Sequence, residues 1–258
     1  MLQVVQRYIA NPVLVHGRKF HLRVWVVVTQ HAPLQAYMHR CGLALFSSAP
    51  YTADEPAMCT ASGDDALTFS KLAAPPTVSA CHITNYAKNT DGWVWNLGRV
   101  QQHFGEAVWG EIWARMLRSA GLTVAAARQS LQEATEWLQP SIQHYGFQLL
   151  GFDYLLDSSL QPWLLEVNSA PSITVHHANP DICQLIHDAK YAMLRDMLQL
   201  VQHRLYSDTT GPKTGKRRPT RPVKPQKGTA AETNVQGDGA QAGESVGGFV
   251  ALMPHFGG

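Results

Sequence analysis

The chain has 258 residues, of which 45% are hydrophobic, and its formal net charge is +2. This length and composition suit a globular chain with a sizeable buried core, organised as one domain or one domain plus a tail. No apolar run approaches the ~20 residues that span a bilayer, and the opening MLQVVQRYIANP lacks the apolar stretch of a signal peptide, so no membrane association is expected.

The first 45 residues predict strands, because VVQRYI, KFHLRVWVVVT and LQAYMH are rich in β-branched and aromatic residues. Alternation in the second segment places an apolar set on one face of the sheet, namely Phe20, Leu22, Val24, Val26 and Val28. His21, Arg23 and Trp25 take the opposite face, next to Lys19. Polar side chains therefore emerge from one face of an otherwise apolar strand.

The middle of the chain alternates between irregular and helical patterns. Residues 47–80 lack periodicity and contain four prolines, which predicts a loop. Helical spacing over 106–118 and 124–138 predicts two helices. A longer helix is expected over 181–205, with Asn179 as its N-cap and an apolar stripe that packs in the core.

The most informative segment is 146–168, which predicts a hairpin of two apolar strands. Asp153 lies in the first strand, and Glu166 and Asn168 lie in the second. Residues two apart share a face, and antiparallel pairing brings Asp153 across from them. Magnesium prefers such oxygen ligands together with phosphate oxygens. The alternative is a turn at Asp153 and a solvated Glu166, which the apolar flanks LLGF and WLLEV disfavour.

The end of the chain differs in composition from the rest. Residues 1–206 hold 14 Lys and Arg against 15 Asp and Glu, whereas residues 207–258 hold seven against four, all seven within 213–227. From Thr209 onward the chain is too poor in apolar residues to offset its ordering entropy. We expect a domain over 1–206 and a disordered tail over 207–258, with GFVALMPHF left open as an ordered exception.

Five motifs occur in a fixed order: VVQRYI, NPVLVHGRKFHLRVWVVVT, CHITN, GFQLLGFDYLLD and PWLLEVNSAPS. Together they resemble the tubulin–tyrosine ligase-like family from about Val4 to Leu205. The resemblance implies an α+β, ATP-grasp-like fold with a mostly antiparallel sheet packed by helices. It covers only the C-terminal part of a typical member, since the N-terminal domain and one ATP-contacting lysine have no counterpart. The sequence therefore resembles a fragment or a shortened member.

The resemblance also implies roles for individual residues. Nucleotide contacts fall to Gln6, Arg7, Tyr8, Ile9, Lys19, His82, Thr84 and Asn85. The first four match a linker that contacts adenine, and the last three match a segment beside ATP and substrate. Lys19 and Arg23 are the expected catalytic residues, because they match groups that contact phosphate. Asp153, Glu166 and Asn168 match the magnesium ligands.

The implied activity is an ATP- and Mg²⁺-dependent ligase that adds an amino acid, of tyrosine or glutamate type, to tubulin or a similar protein. A carboxylate attacks the γ-phosphate to give an acyl phosphate, and an amine then displaces phosphate to form an amide. Phosphoryl transfer needs positioning and charge neutralisation more than a protein nucleophile. The implied partners are tubulin or microtubules and the amino-acid substrate, in the cytoplasm and at the cytoskeleton.

Two positions depart from the family pattern. Many members carry an aspartate where this chain has His21, and an arginine near Leu45. The KFHLR and LALFSSAPY forms resemble a branch found in fungi and plants. Both departures leave an alternative open, a non-catalytic microtubule- or protein-binding module on a decayed or truncated ligase scaffold.

Other patterns indicate less. The four cysteines include no CxxC pair, so reduced cysteines in a cytoplasmic protein are expected. His176 and His177 lack a third zinc ligand at recognisable spacing. Trp93 and Trp95 are expected to pack in the core. The basic run 213–227 is a nucleic-acid arm, a microtubule contact or a solvated linker; without interleaved aromatics, nucleic acid is not an expected partner.

Overall fold

The computed structural model describes residues 6–31, 33–53, 79–84, 92–134, 136, 146–208 and 245–252. Within these ranges the strands are β1 (Leu14–Val15), β2 (Arg18–His31), β3 (Leu34–Phe46), β4 (Val94–Asn96), β5 (Gln148–Leu156), β6 (Pro162–Asn168), β7 (Ser245–Val246) and β8 (Phe249–Ala251). The helices are α1 (Leu97–Phe104), α2 (Glu106–Ala126), α3 (Arg128–Glu133) and α4 (Pro180–Asp208).

The strands form one sheet in the order β6-β5-β2-β3-β8-β7, with β1 on β2 and β4 on β3. Every pairing among the described strands is antiparallel. The expected α+β class with a mostly antiparallel sheet is therefore confirmed. No helix among the described residues is long and apolar enough to cross a membrane.

The sheet lies between two helical layers because β2 is apolar on both faces. Its even-numbered residues from Phe20 to Val28 pack with Ile112 and Met116 of α2 in a first core cluster. Trp25 and Val27 pack with Ile186 and Met193 of α4 in a second cluster. The alternation predicted for β2 is confirmed, and the second face is the one that carries His21 and Arg23.

Two local predictions about the strands need correction. Gln6–Ile9, predicted as part of a strand, has no regular structure, and residues 1–5 lie outside the described part. This segment is held to the sheet by a side chain, since Gln6 Nε2 donates to the Leu165 carbonyl at 3.2 Å. Tyr8, the aromatic residue of this segment, makes side-chain contacts rather than the backbone hydrogen bonds of a strand. By contrast, β3 continues past the predicted LQAYMH to Phe46.

The helices differ from the predicted ones mainly in where they begin and end. The predicted helix at 106–118 runs on to Ala126, and the one predicted from 124 begins at Arg128 instead. The sequence analysis missed α1, although Asn96 caps it by accepting a hydrogen bond from the Arg99 amide at 2.8 Å. Asn179 caps α4 as predicted, through hydrogen bonds from two backbone amides at 2.8 and 3.2 Å.

Residues 245–252 are ordered, and they include the first part of the GFVALMPHF stretch that was left open as an exception to the disordered tail. They form the β7–β8 hairpin, and β8 pairs with Tyr37–His39 of β3. Phe249 is 0% exposed and joins the second core cluster. The average composition of the tail does not reveal this stretch, because only a few apolar residues in it pack at the edge of β3. The basic run 213–227 lies outside the described residues.

Candidate active site

A cleft of about 970 Å³ opens on the second face of the sheet. Its walls come from β2, β3, β5 and β6, from the segment 170–178 and from α4. The charged and polar side chains that the chemistry would use are His21, Arg23, Thr84, Asp153, Glu166, Asn168 and Lys190. Five of these seven were predicted site residues.

An ion pair between Arg23 and Asp153 forms the floor of the cleft. The two residues are directly opposite in the β2–β5 register. Arg23 Nη2 donates to Asp153 Oδ2 at 2.6 Å and Arg23 Nε donates to Oδ1, a two-point contact. Gly151 leaves room for this arrangement, since a Cβ there would lie 3.3 Å from Arg23 Cδ and 3.0 Å from Pro171 Cβ, both tight contacts. Asp153 is 4% exposed, so the guanidinium stabilises a buried carboxylate.

The three predicted metal ligands meet at this floor. Asp153 lies opposite Glu166 across the β5–β6 hairpin, and a bulge follows at Leu165. Asn168 Nδ2 lies 3.4 Å from Asp153 Oδ2 and 3.1 Å from Glu166 Oε1. Asp153 sits within β5, so the alternative of a turn there is wrong. Glu166 is exposed at the cleft mouth, whereas Asp153 is buried.

The donor set fits a hard divalent cation. Two carboxylates and one amide provide oxygen ligands of the kind that magnesium takes beside phosphate oxygens. The amide nitrogen of Asn168 now bridges both carboxylates, and a half-turn of the amide would present its oxygen instead. Among the described residues, no group of three His, Cys, Asp or Glu side chains could hold a metal. The amide is thus needed to complete the set.

The expected nucleotide lysine is buried beside the linker segment. Lys19 is 8% exposed, and its Nζ donates to Tyr8 Oη at 3.1 Å. Tyr8 Oη also lies 2.7 Å from His82 Nδ1, which joins two predicted nucleotide-contact segments. Burial lowers the pKa of Lys19 and raises that of Tyr8.

The predicted adenine-contacting residues line a second cavity of about 460 Å³ beside the first. Gln6–Ile9 form one wall, and Trp163–Leu165 of β6 form the other. Gln6 and Leu165 line both cavities. The predicted linker residues therefore line a cavity, although they do not form the strand that was predicted for them.

His21 does not replace the charge of an aspartate. Its Nδ1 lies 2.6 Å from Thr84 Oγ1. Its buried Nε2 is 3.8 Å from Asp153 Oδ1 and has no hydrogen-bond partner among the residues that the structure describes. Burial first, then the Arg23 charge, lower the pKa of His21 to about 3. The imidazole is therefore neutral near pH 7. Asn85, the last residue predicted in this segment, lies outside the described part.

Lys190 is the cleft residue that the sequence analysis missed. It projects from α4, is 4% exposed, and donates to the Thr174 carbonyl at 2.6 Å. Burial and the Arg23 charge lower the pKa of Lys190 to about 8. Its position beside the buried Ala189 was the available signal, since it puts the lysine near the apolar stripe of α4. Leu45, where many members carry an arginine, is a buried part of the cleft wall.

Comparison with known proteins identifies the family. The model of the tubulin-tyrosine ligase family matches residues 2–204, which hold the cleft. The chain is 32% identical over 198 residues to the probable tubulin polyglutamylase TTLL9 of Bos taurus, covering 77% of this chain and 38% of that protein. It is 33% identical over 220 residues to the tubulin polyglutamylase TTLL13 of Homo sapiens, covering 78% and 24%.

A third relative is the probable alpha-tubulin polyglutamylase Ttll1 of Tetrahymena thermophila, 31% identical over 181 residues, which cover 67% of this chain and 38% of that protein. The chain thus spans well under half the length of each of these relatives. The family match nevertheless covers most of the described sheet and both cavities. The chain belongs to the tubulin-tyrosine ligase family.

Proposed function

We propose that this chain forms part of an ATP- and magnesium-dependent ligase that adds an amino acid to tubulin or a similar protein through an acyl phosphate. The meeting of Asp153, Glu166 and Asn168 beside the Arg23 guanidinium is the observation that carries the proposal. Relatives named as tubulin polyglutamylases favour an amino acid of glutamate type and tubulin as the acceptor. Such a role corresponds to a cytoplasmic, cytoskeleton-associated protein.

Different side chains would bind the cation and the phosphates. Asp153, Glu166 and Asn168 would hold magnesium, which supplies charge neutralisation at the phosphates when bound. Arg23, whose side chain is 21% exposed in the cleft, and Lys19, which is buried beside Tyr8, would orient the phosphate oxygens. Partial burial would strengthen these contacts because water screens them less. Gln6–Ile9 and Leu165 bound the cavity that suits an adenine ring.

Lys190 suits the carboxylate of the incoming amino acid. The cleft wall is apolar at Leu45, the position near which many members carry an arginine. Lys190 presents an ammonium from the facing helix, and a pKa of about 8 leaves most of it protonated at pH 7. An anion bound beside it would bring that lowered pKa back up and favour the charged form.

Incorporation of labelled glutamate into tubulin, in the presence of ATP and Mg²⁺, tests the proposal. Glu166→Gln should abolish incorporation, because it removes one metal carboxylate from an exposed position with little effect on packing. Glu111→Gln on α2 is the matched control, since Glu111 is exposed and remote from the cleft. Incorporation that is equal in both variants would contradict the proposed role of Glu166.

A non-catalytic binding module is the second candidate. The neutral His21 and the apolar Leu45 favour it, because each removes a charge that many members carry at that position. Co-sedimentation with microtubules, without any ATP turnover in the same preparation, would support this candidate. ATP turnover that Glu166→Gln abolishes would rule it out.

A further inference from the structure

Two arginines lie over two tryptophans on a surface outside the cleft. The guanidinium carbon of Arg18 is 4.7 Å from the centroid of the Trp93 ring, and that of Arg99 is 4.2 Å from the Trp95 ring. Two histidines join the same rings. We name this surface the arginine–tryptophan patch: His16, Arg18, Trp93, Trp95, Arg99 and His103.

The patch is built by the turn between β1 and β2. His16 and Gly17 have positive φ angles of 51° and 72°, as a tight two-residue hairpin turn requires, and Val15 pairs with Arg18 to close it. The turn directs the His16 ring to Trp93 at 5.9 Å and to Trp95 at 5.8 Å. The His103 ring of α1 lies 5.7 Å from Trp95.

The patch is packed against the core on one side and exposed to solvent on the other. Trp95 is 4% exposed and packs on Phe46 of the first core cluster, with ring centroids 5.1 Å apart. Trp93 is 40% exposed, and Arg99 and both histidines are also exposed. Arg18 is fixed because it donates to the carbonyls of two serines in the segment after β3. A pre-ordered surface of this kind loses little conformational entropy when a partner binds.

The two guanidinium groups of Arg18 and Arg99 give the patch a positive charge. In the part of the chain that the structure describes, neither Arg18 nor Arg99 forms an ion pair with a carboxylate. A guanidinium stacked on a ring can still donate its in-plane N–H groups to a carboxylate, at two points for Arg99 and through the nitrogens other than Nη1 for Arg18, which already donates to the serine carbonyls. Tryptophan and arginine are also the residues enriched among the strongest contributors to protein interfaces.

The patch and the cleft lie on opposite faces of the sheet. Arg18 and Lys19 are neighbours in β2, so their side chains point to opposite sides. Lys19 contacts Tyr8 beside the nucleotide cavity, whereas Arg18 contacts Trp93. Trp95 belongs to the first core cluster, away from the face that carries Arg23. A ligand on the patch would therefore leave the cleft open.

We propose that the arginine–tryptophan patch docks an acidic peptide segment of a protein partner. Charge complementarity selects carboxylates, and the guanidiniums hold them over an aromatic base. A single-stranded nucleic acid fits less well, because a guanidinium already covers each tryptophan and Trp95 is 4% exposed, which leaves little ring face for base stacking. The proposal concerns binding alone and stands independently of the ligase chemistry.

Fluorescence anisotropy of a labelled ten-residue polyglutamate peptide, titrated with the 258-residue chain, tests the docking. Arg99→Ala should weaken binding about fivefold, the value of one well-placed surface ion pair. Arg115→Ala is the matched control, since Arg115 is also an exposed helix arginine and pairs with Glu111. It should leave affinity nearly unchanged. Equal weakening by both variants, or no binding of the peptide, would overturn the proposal.

A second arm separates the peptide from nucleic acid. A labelled ten-nucleotide oligouridine should bind more weakly than the peptide, and an oligouridine that binds more tightly and loses affinity in Arg99→Ala would overturn the assignment. Arg99→Glu should reduce peptide binding further than Arg99→Ala. Because Arg99 is exposed, both variants should unfold at the wild-type temperature, so any loss of peptide affinity reflects the surface and not the fold.

Discussion

Phe249 offers a sharp test of the fold, because it lies outside the family match and yet is 0% exposed. It projects from β8 into the second core cluster, where Met197 and Leu200 of α4 surround it together with residues of β3 and β4. Its ring also meets His39, with centroids 4.6 Å apart. Phe249→Ala would leave a cavity between the C-terminal hairpin and α4.

The cost should be large for a residue so near the end of the chain. Truncation of a buried phenylalanine to alanine costs about 3–5 kcal/mol, the sum of the lost transfer free energy and the cavity. Polar contacts limit any collapse of the hairpin into the cavity, since the Gly248 amide donates to Asp196 Oδ2 at 2.8 Å and the Arg40 amide donates to the Gly248 carbonyl at 2.9 Å. We therefore expect at least about 3 kcal/mol.

Urea unfolding followed by circular dichroism measures this cost. With a slope of about 2–3 kcal/mol per molar urea, the midpoint should fall by about 1 M or more. Leu198→Ala is the control, because Leu198 is on α4 but is 62% exposed, and its midpoint should hardly move. A Phe249→Ala midpoint equal to that of the control would refute the placement of β8 in the core.

Three further predictions concern the cleft. Asp153→Asn should lower the free energy of unfolding by about 2–3 kcal/mol in urea unfolding. This is somewhat below the cost of breaking a fully buried ion pair, because the Arg23 side chain keeps 21% exposure. An unchanged midpoint would contradict the buried pair. Gly151→Ala should cost about 1–2 kcal/mol in the same assay by overpacking against Arg23 and Pro171, and a neutral variant would show that the approach is loose. The pKa of Lys190 is lowered to about 8 by burial, so the folded state binds fewer protons than the unfolded state between pH 8 and 10.5. Wild-type stability should therefore rise with pH across that window, by up to about 3 kcal/mol relative to Lys190→Met, and parallel pH curves would disprove the buried charge.

Local sequence patterns were enough to predict which face of β2 carries Arg23 and that Asp153, Glu166 and Asn168 lie close together, while their role as magnesium ligands stays a prediction implied by the family resemblance. The period-two alternation of β2 assigned Arg23 to the polar side, and the spacing of Glu166 and Asn168 placed both on one face of β6. Strand pairing across a short hairpin then fixed Asp153 opposite Glu166. These inferences depend only on residues close in sequence, within about one hairpin, where periodicity and register indicate which side chains share a face.

Non-local contacts account for what the sequence did not reveal. Lys190 reaches the cleft because α4 packs back on the sheet. Its place near the apolar stripe of α4 indicates burial, but no local pattern indicates which cleft it enters. The pairing of β8 with β3 joins residues about 210 positions apart, and low apolar content over the whole tail hides it. Residues Gln6–Ile9 have strand-like composition, yet a ladder also requires a free strand edge of the right register.

Calorimetric titration of ATP, with and without Mg²⁺, tests the central claim most directly. The account predicts magnesium-dependent binding of ATP to the 258-residue chain, retained in Glu111→Gln and lost in Glu166→Gln, because Glu166 is the exposed carboxylate of the trio. Absence of any magnesium-dependent binding, or binding that Glu166→Gln leaves unchanged, would contradict it.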